Sequence, residues 1–371
     1  MLALVSCRLP PEEGWNPCDG SNPISYAKVP IIDCYEIPAA IGFLVLAAVG
    51  ETSGMNADGD PVPLILGTWP TPVERAPRLA AALGLGADDL WIKRDDLTGL
   101  GGGGNKVRKL QYSCAQALAV GATTLITTGA AQSNHARLTA AAAARLGMGC
   151  VLILEGERPA ARPGNLLLDA LAGAAVTWAR PGQARVEADL AAREVTLAGG
   201  IPFVIPFGGS SSYAARGYVD CATELLAQVP DLRHVIVAVG SGGTMAGLVA
   251  GLGASRVIGV HTGAVPDPAA TVADLLAGLT GHDAHAADLQ ISTGQVGDGY
   301  QAITAATRNA ILLAARTEGI FLDPTYTGRA MAGLVDLCSG HTISPGQVTV
   351  FLHTGGLPGL LAHPELATAL G

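Results

Sequence analysis

Aromatic residues make up only 4% of the 371-residue chain, too few for the stacked platforms on which single-stranded nucleic acids lie. Positive charge is short as well: 22 basic against 31 acidic residues leave a net charge of −9 with histidine neutral. Such a surface repels phosphate backbones and anionic lipid, so neither nucleic acid nor a membrane surface is expected as a partner. The apolar run Ile37 to Val49 falls short of the ~20 residues that span a bilayer, and it begins too late for a secretory signal. None of the seven cysteines, at 7, 18, 34, 114, 150, 221 and 338, forms a C-x-x-C pair. An odd, dispersed set reads as reduced thiols of a cytoplasmic protein. His282 and His285 form a lone H-x-x-H with no further ligand nearby, so no metal is expected. What is present is a globular composition, with 49% hydrophobic and 14% charged residues.

The first 55 or so residues differ from the rest, holding three of the seven cysteines and several prolines. Residues 1–54 are read as an N-terminal extension whose translation is a question for the intact mass of protein made from its native gene. From Leu90 onward short β-rich runs alternate with alanine-rich helical stretches. Strands are expected at Leu90–Arg94, Thr124–Thr127, Cys150–Leu154, Ala175–Trp178, Ile201–Ile205, His234–Val239, Arg256–His261 and Gln347–Leu352. Helices are expected to open near Lys106, Asn134, Asn165, Arg185, Ser212, Thr244 and Ala269, with later ones over Ala302–Glu318 and Gly328–Leu337. The alternation implies βαβ units, parallel-rich sheets and two α/β domains with a cleft between them.

Three glycine-rich turns punctuate this pattern. Gly101 to Gly104 lead through Asn105 to Lys106 at the start of a helix, where the positive helix end favours a neutral amine. A neutral lysine attacks aldehydes, although the same residues would also suit a flexible loop with a solvated lysine. Gly240-Ser241-Gly242-Gly243-Thr244 lies between a strand and a helix, the geometry that holds a phosphate on backbone N–H groups. It lacks both the Walker pattern and the G-x-G-x-x-G fingerprint, which points to a single phosphate. The third turn, Gly208 to Ser212, is read as structural. Gln132-Ser133-Asn134-His135 crowds donors at another helix start, where Ser133 or Asn134 would also serve as a cap. His353-Thr354-Gly355-Gly356 follows a strand at its carboxyl end, where open α/β sheets bind ligands. A nucleophilic lysine, a phosphate cup and hydroxyls at strand ends together suggest pyridoxal phosphate.

Read in order, WIKRDDLTGLGGGGNKVRKL, TTGAAQSNHARLTA, GNLLLDAL, PFGGSSSYAARGYV, GSGGTMAGL, ARTEGIFLDPTYTGRAMAGL and FLHTGGLPGL resemble the D-cysteine desulfhydrase and 1-aminocyclopropane-1-carboxylate deaminase family of pyridoxal-phosphate enzymes. The resemblance runs from about Thr68 to Leu361 and implies the tryptophan-synthase-β fold, fold type II, in a homodimer. It implies a larger cofactor-phosphate domain of residues 55–108 plus 214–371, and a smaller α/β domain of 109–213. By the same resemblance Lys106 is the Schiff-base lysine, and Lys109 with Gly240, Ser241, Gly242, Gly243 and Thr244 grips the phosphate. Asn134 bonds the cofactor's 3-hydroxyl, Gln132 lines the pocket, and Ser133 binds the substrate carboxylate or handles a proton. Tyr300 and Tyr326 are the two active-site tyrosines, and Thr354 bonds the pyridine nitrogen.

The implied reaction is β-elimination on a small amino acid, D-cysteine yielding pyruvate, ammonia and hydrogen sulfide, with Lys106 as base and Ser133 or Tyr300 on the opposite face. Ring-opening deaminases resemble YEG at the second tyrosine and carry leucine in the late H-x-G-G. Here Tyr326-Thr327-Gly328 and His353-Thr354-Gly355-Gly356 are desulfhydrase-like. The pattern departs at Gly297-Asp298-Gly299-Tyr300-Gln301 where the family has GPGYG, at Gly328-Arg329 where it has GK, and at His261-Thr262-Gly263-Ala264 where it has a more polar loop, and Asp298 is expected to add charge near the substrate. The alternatives are 1-aminocyclopropane-1-carboxylate deaminase, a lyase for cysteate, 3-chloroalanine or a specialised amino acid, a β-replacement enzyme, or an inactive cofactor-binding regulator.

Overall fold

The computed structural model describes residues 54–56, 59–300, 302–363 and 366. The extension expected over residues 1–54 therefore lies, apart from Gly54, outside the described residues. Strands are β1 Val73–Arg75, β2 Leu90–Arg94, β3 Thr124–Ala130, β4 Gly149–Glu155, β5 Ala175–Ala179, β6 Pro202–Ile205, β7 His234–Val239, β8 Val257–His261, β9 Gln290–Ser292 and β10 Thr349–His353. Helices are α1 Pro77–Ala82, α2 Lys106–Ala119, α3 Asn134–Leu146, α4 Asn165–Leu171, α5 Ala184–Leu197, α6 Ser212–Gln228, α7 Gly243–Leu252, α8 Pro268–Thr280, α9 Ala305–Glu318, α10 Thr327–Ser339 and α11 Leu357–Leu361. All eight expected strands form, and each expected helix opens within three residues of its expected start. Sequence reasoning missed β1, β9, α1 and α11, which are too short to show a hydrophobic period.

The strands build two sheets. The larger runs β1-β2-β10-β7-β8-β9, parallel except where β1 meets β2, and the smaller runs β5-β4-β3-β6, parallel throughout. Every residue of β7 is buried, as expected for a parallel strand covered on both faces. Its side chains alternate: Ile236 joins the apolar layer containing Ala310 and Met331 of α9 and α10. Val235, Val237 and Val239 join the layer formed with Tyr218 and Leu248 of α6 and α7. Local signals set the helix ends. Ser133, Ser211, Asp267 and Thr304 accept from the backbone N–H three residues on, capping α3, α6, α8 and α9.

One buried charge cluster fixes α2 in this frame. Arg108 donates to both Asp95 oxygens at 2.9 Å and to both Glu224 oxygens at 2.8 Å. Lys93 Nζ adds contacts to Glu224 Oε2 at 2.5 Å and Gln228 Oε1 at 2.7 Å. Tyr218 Oη donates to Asp95 Oδ2 at 2.6 Å, and the Arg108 guanidinium lies 4.2 Å from the Trp69 ring centre. Gly217 lets α6 close on α2, since a Cβ there would fall 2.4 Å from the Arg108 carbonyl oxygen. Burial alone would raise the Asp95 carboxyl, but the guanidinium beside it holds it below the ordinary range, and Glu224 is lowered by the same partner.

Both carboxyls sit below their ordinary values, so the stability they contribute is fully present above about pH 4.5 and is lost as pH falls through the lowered values. Arg108→Met leaves two carboxylates buried without their main partner. Urea denaturation of that variant at pH 7 should show a loss of about 3–5 kcal/mol.

Candidate active site

The carboxyl ends of β3, β7 and β10 and the starts of α2, α3 and α7 converge on a cavity of about 460 Å³, within the range of small-molecule sites. Ten of the expected residues line it: Lys106, Ser133, Asn134, Gly240, Ser241, Gly242, Thr244, Tyr300, Tyr326 and Thr354. Gln132, Lys109 and Gly243 do not. Gln132 instead fixes the 163–165 segment, donating to Pro163 O at 2.9 Å and accepting from Asn165 N at 3.0 Å. Asp298 is exposed and outside the lining, so the charge expected near the substrate is turned to solvent.

Lys106 opens α2 with its amine buried, and desolvation pushes the ammonium down to about 8. Lys109, one turn on, is likewise held well below its ordinary value by burial and by the Lys106 charge beside it. Its Nζ donates to Gly208 O and to Ser210 Oγ. Ser210 Oγ also lies 2.8 Å from Ser241 Oγ and accepts from Gly243 N at 3.2 Å, which explains why Lys109 and Gly243 stand behind the cavity wall. The third glycine turn, expected to be only structural, is thus part of the site. Gly208 lines it at φ +62°, and a Cβ there would fall 2.2 Å from Ser241 Oγ. The four glycines before Asn105 approach their own chain: Arg137 donates to Gly101 O and to Gly103 O, tying that turn to α3.

Asn105, read only as part of the glycine motif, joins three segments. Its N–H donates to Thr354 O at 3.0 Å and its Nδ2 to Thr244 Oγ1 at 3.0 Å. Asn165 Nδ2 donates to Asn134 Oδ1 at 3.0 Å, which leaves the Asn134 amide N–H₂ as the group available to a ligand. His135 also lines the cavity. Thr127 Oγ1 donates to Ile205 O at 2.9 Å, so it accepts from His135 Nε2 at 2.9 Å and the imidazole is neutral with a bare Nδ1. Burial and the two lysines push that imidazole well below its ordinary value, in keeping with this tautomer. The spacing Q-S-N-H marks His135, but nothing in a sequence shows that Thr127 faces it.

Tyr300 and Tyr326 meet edge to face, ring centres 6.0 Å apart, with their hydroxyls in direct hydrogen bond. Burial raises both phenols, so both keep their protons near neutral pH. One proton serves the mutual bond, and one remains to be donated elsewhere. Thr327, the position that separates the two activities in sequence, is fully buried, with its hydroxyl donating to Asp323 Oδ1 at 2.7 Å. Among the lining residues Glu155 is the one carboxylate, and its Oε1 accepts from Gly182 N at 3.0 Å.

The donor set fits pyridoxal phosphate. Two amines without a carboxylate beside them favour an anion. The Gly240–Thr244 turn at the head of α7 offers backbone and hydroxyl donors, and Lys106 supplies the nucleophile for an aldehyde.

Comparison with known proteins agrees. The profile of a family described as pyridoxal-phosphate dependent enzyme matches residues 64–355. D-cysteine desulfhydrase of Salmonella choleraesuis (strain SC-B67) is 40% identical over 314 residues, covering 80% of this chain and 95% of that protein. The enzyme of the same name from Salmonella typhi matches with the same identity and coverage. A crystal structure of an ACC deaminase homologue superposes with a TM-score of 0.75 at 33% identity, covering 88% of this chain and 99% of that one. The processed form of threonine deaminase isoform 2 from Solanum lycopersicum shares the fold, with a TM-score of 0.56 at 18% identity over 86% of this chain and 90% of that one.

Borohydride reduction of the protein with pyridoxal phosphate, followed by denaturing mass spectrometry, should show one added pyridoxyl group per chain. Lys106→Ala should show none, and labelling of the wild-type site should rise with pH through about 8 as the Lys106 amine loses its proton.

Proposed function

This chain belongs to the pyridoxal-phosphate dependent enzyme family and works with that cofactor, and we propose that it catalyses β-elimination on D-cysteine, releasing pyruvate, ammonia and hydrogen sulfide. The observation that carries this reading over ring-opening deamination is the state of Thr327. Its hydroxyl is bound to Asp323, whose two oxygens accept from Thr325 N, Tyr326 N and Thr327 N at 2.9 Å, so no free acid is offered at that end of the cavity. Opening a cyclopropane, which has no good leaving group, calls for such an acid, whereas loss of a thiolate does not.

When bound, pyridoxal phosphate supplies an electron sink for the charge left as the Cα proton departs. Lys106 holds the cofactor at its aldehyde carbon and, as a free amine, takes the Cα proton; its lowered value keeps a substantial neutral fraction at physiological pH. The Gly240–Thr244 turn holds the phosphate, braced from behind by Lys109 through Ser210. Asn134 donates to the ring hydroxyl, and Thr354 faces the ring nitrogen with a hydroxyl rather than a carboxylate. Ser133, at the N-terminal end of α3, orients the substrate carboxylate, and Gln132 supports that helix start from behind through Pro163 and Asn165. The Cβ–S bond breaks with its electron pair on sulfur, and the spare proton of the Tyr300–Tyr326 pair goes to that thiolate. The enamine product then takes up water and yields pyruvate and ammonia. Ala238, Gly263 and Ala264 keep that part of the lining free of charge.

The reading extends to a larger domain of residues 55–108 plus 214–371 and a smaller one of 109–213, and to a homodimer in the cytoplasm. Buried free thiols at Cys114, Cys150, Cys221 and Cys338 support a reducing compartment. Among the described residues, no helix is long and apolar enough to cross a membrane.

The test is product release by the holoenzyme from D-cysteine, L-cysteine, cysteate, 3-chloro-D-alanine and 1-aminocyclopropane-1-carboxylate. Pyruvate with stoichiometric sulfide from D-cysteine is expected, and Lys106→Ala should abolish it. Formation of 2-oxobutyrate from the cyclopropane acid would overturn the weight placed on Thr327. A β-substituted amino acid formed with added thiol would reassign the chain to β-replacement.

A further inference from the structure

Tyr300 stands on a segment without regular structure, residues 293–300 and 302–304 running as turns and coil between β9 and α9. A phenol on such a segment is placed by what the segment touches: Gln295 donates to Asp336 of α10, and Tyr300 itself meets Tyr326. Around Tyr300 the backbone is held by Arg329 of α10, which is 0% exposed. The guanidinium donates to Gly299 O at 2.7 Å, Tyr300 O at 3.0 Å and Ala302 O at 2.6 Å, and its other amino group donates to Thr262 O. All four hydrogen-bond acceptors are main-chain oxygens. Thr262 in turn precedes Gly263 and Ala264 of the cavity lining, and its hydroxyl donates to Val239 O at 2.9 Å.

The same helix end carries the other phenol. Tyr326 immediately precedes α10, its N–H donating to Asp323 Oδ2 at 2.9 Å, and Arg329 follows three residues later. One rigid body therefore holds Tyr326 directly and Tyr300 through the guanidinium. The planar fork reaches three carbonyls of one loop and one of another, and an ammonium cannot match that span.

We propose that Arg329 is a positioning residue of the reaction, setting the Tyr300 hydroxyl against that of Tyr326 and so fixing where their spare proton is offered. This rests on the role given above to the tyrosine pair. A misplacement of about 1 Å in such a group costs up to about a hundredfold in rate. A guanidinium that merely stabilised the fold would cost the same with or without the Tyr300 hydroxyl.

A double-mutant cycle on the holoenzyme separates the two. Turnover of D-cysteine and of 3-chloro-D-alanine is measured for wild type, R329K, Y300F and the double variant, with thermal melting of each. R329K keeps the buried positive charge and restores the lysine that the family pattern carries there, so it guards against simple unfolding and asks whether this chain's own loop around Tyr300 requires the fork. The expected result is at least a tenfold fall in kcat for R329K with KM within about twofold, and less than a twofold further effect of R329K when Tyr300 is already phenylalanine. An independent readout is the ultraviolet titration of tyrosinate without substrate or cofactor. In R329K one further phenol should ionise near the ordinary value of about 10, and that phenol should be absent from the double variant. The ionisable groups around the pair are Asp323 and Arg329 itself. Equal losses from R329K in both backgrounds, wild-type kcat in R329K, or an unchanged titration would each overturn the proposal. Unchanged kcat in Y300F would instead overturn the tyrosine role on which it rests.

Discussion

Arg108, two residues beyond Lys106 and one before Lys109, is bonded to two buried carboxylates at once. Asp95 follows β2 and Glu224 lies on α6, so a single guanidinium joins the carboxyl end of β2, the lysine helix and the helix that packs on it. With Lys93 the cluster holds two positive and two negative groups, and its formal charge balances. A buried cluster of this kind gives little net stability over a well-packed apolar alternative, but removing one member strands the others. What it contributes is geometry: α2 has one register in which all four groups are paired, and in that register the two lysine amines stand together at the cavity.

The site inverts the electrostatics of the surface around it. The chain carries a net charge of −9, yet the cavity wall presents the Lys106 amine, amide N–H groups and hydroxyls, with Glu155 its one carboxylate. Burial lowers both lysines and the neighbouring imidazole. It raises the two phenols. Bases are thereby brought closer to neutral and acids held protonated around one cavity, which equips it to take a proton at one side and give one at another near neutral pH.

Much of this was legible in the sequence, and the reasons differ by element. The buried parallel strands showed as apolar runs between glycine turns, and helix starts were marked by Ser133, Ser212 and the glycine-to-alanine transitions. Boundaries drifted where a glycine lies inside an element: Gly129 reads as a turn but is strand, so β3 runs to Ala130. Short motifs brought ten of thirteen expected residues to one cavity, because motif residues sit at strand ends that parallel topology gathers on one side. The losses were residues whose role depends on a partner far along the chain. Ser210 matters only because Lys109 and Ser241 converge on it, 101 and 31 residues away. Asp298 looked charged and near, and only the turn around it shows that it faces out.

The order of strands in the larger sheet also bears on how the protein is made. β10 lies between β2 and β7, so the strand nearest the C-terminus separates two that leave the ribosome long before it. The smaller sheet draws on residues 124–205 alone and can assemble while synthesis continues. β2, by contrast, has only the three-residue β1 beside it until Thr349–His353 emerges, and Thr354, which accepts from Asn105 N, follows directly after. The wall of the cavity is therefore completed only once β10 has emerged, and a nascent chain halted before residue 349 lacks the strand that joins β2 to β7 and the carbonyl that holds Asn105.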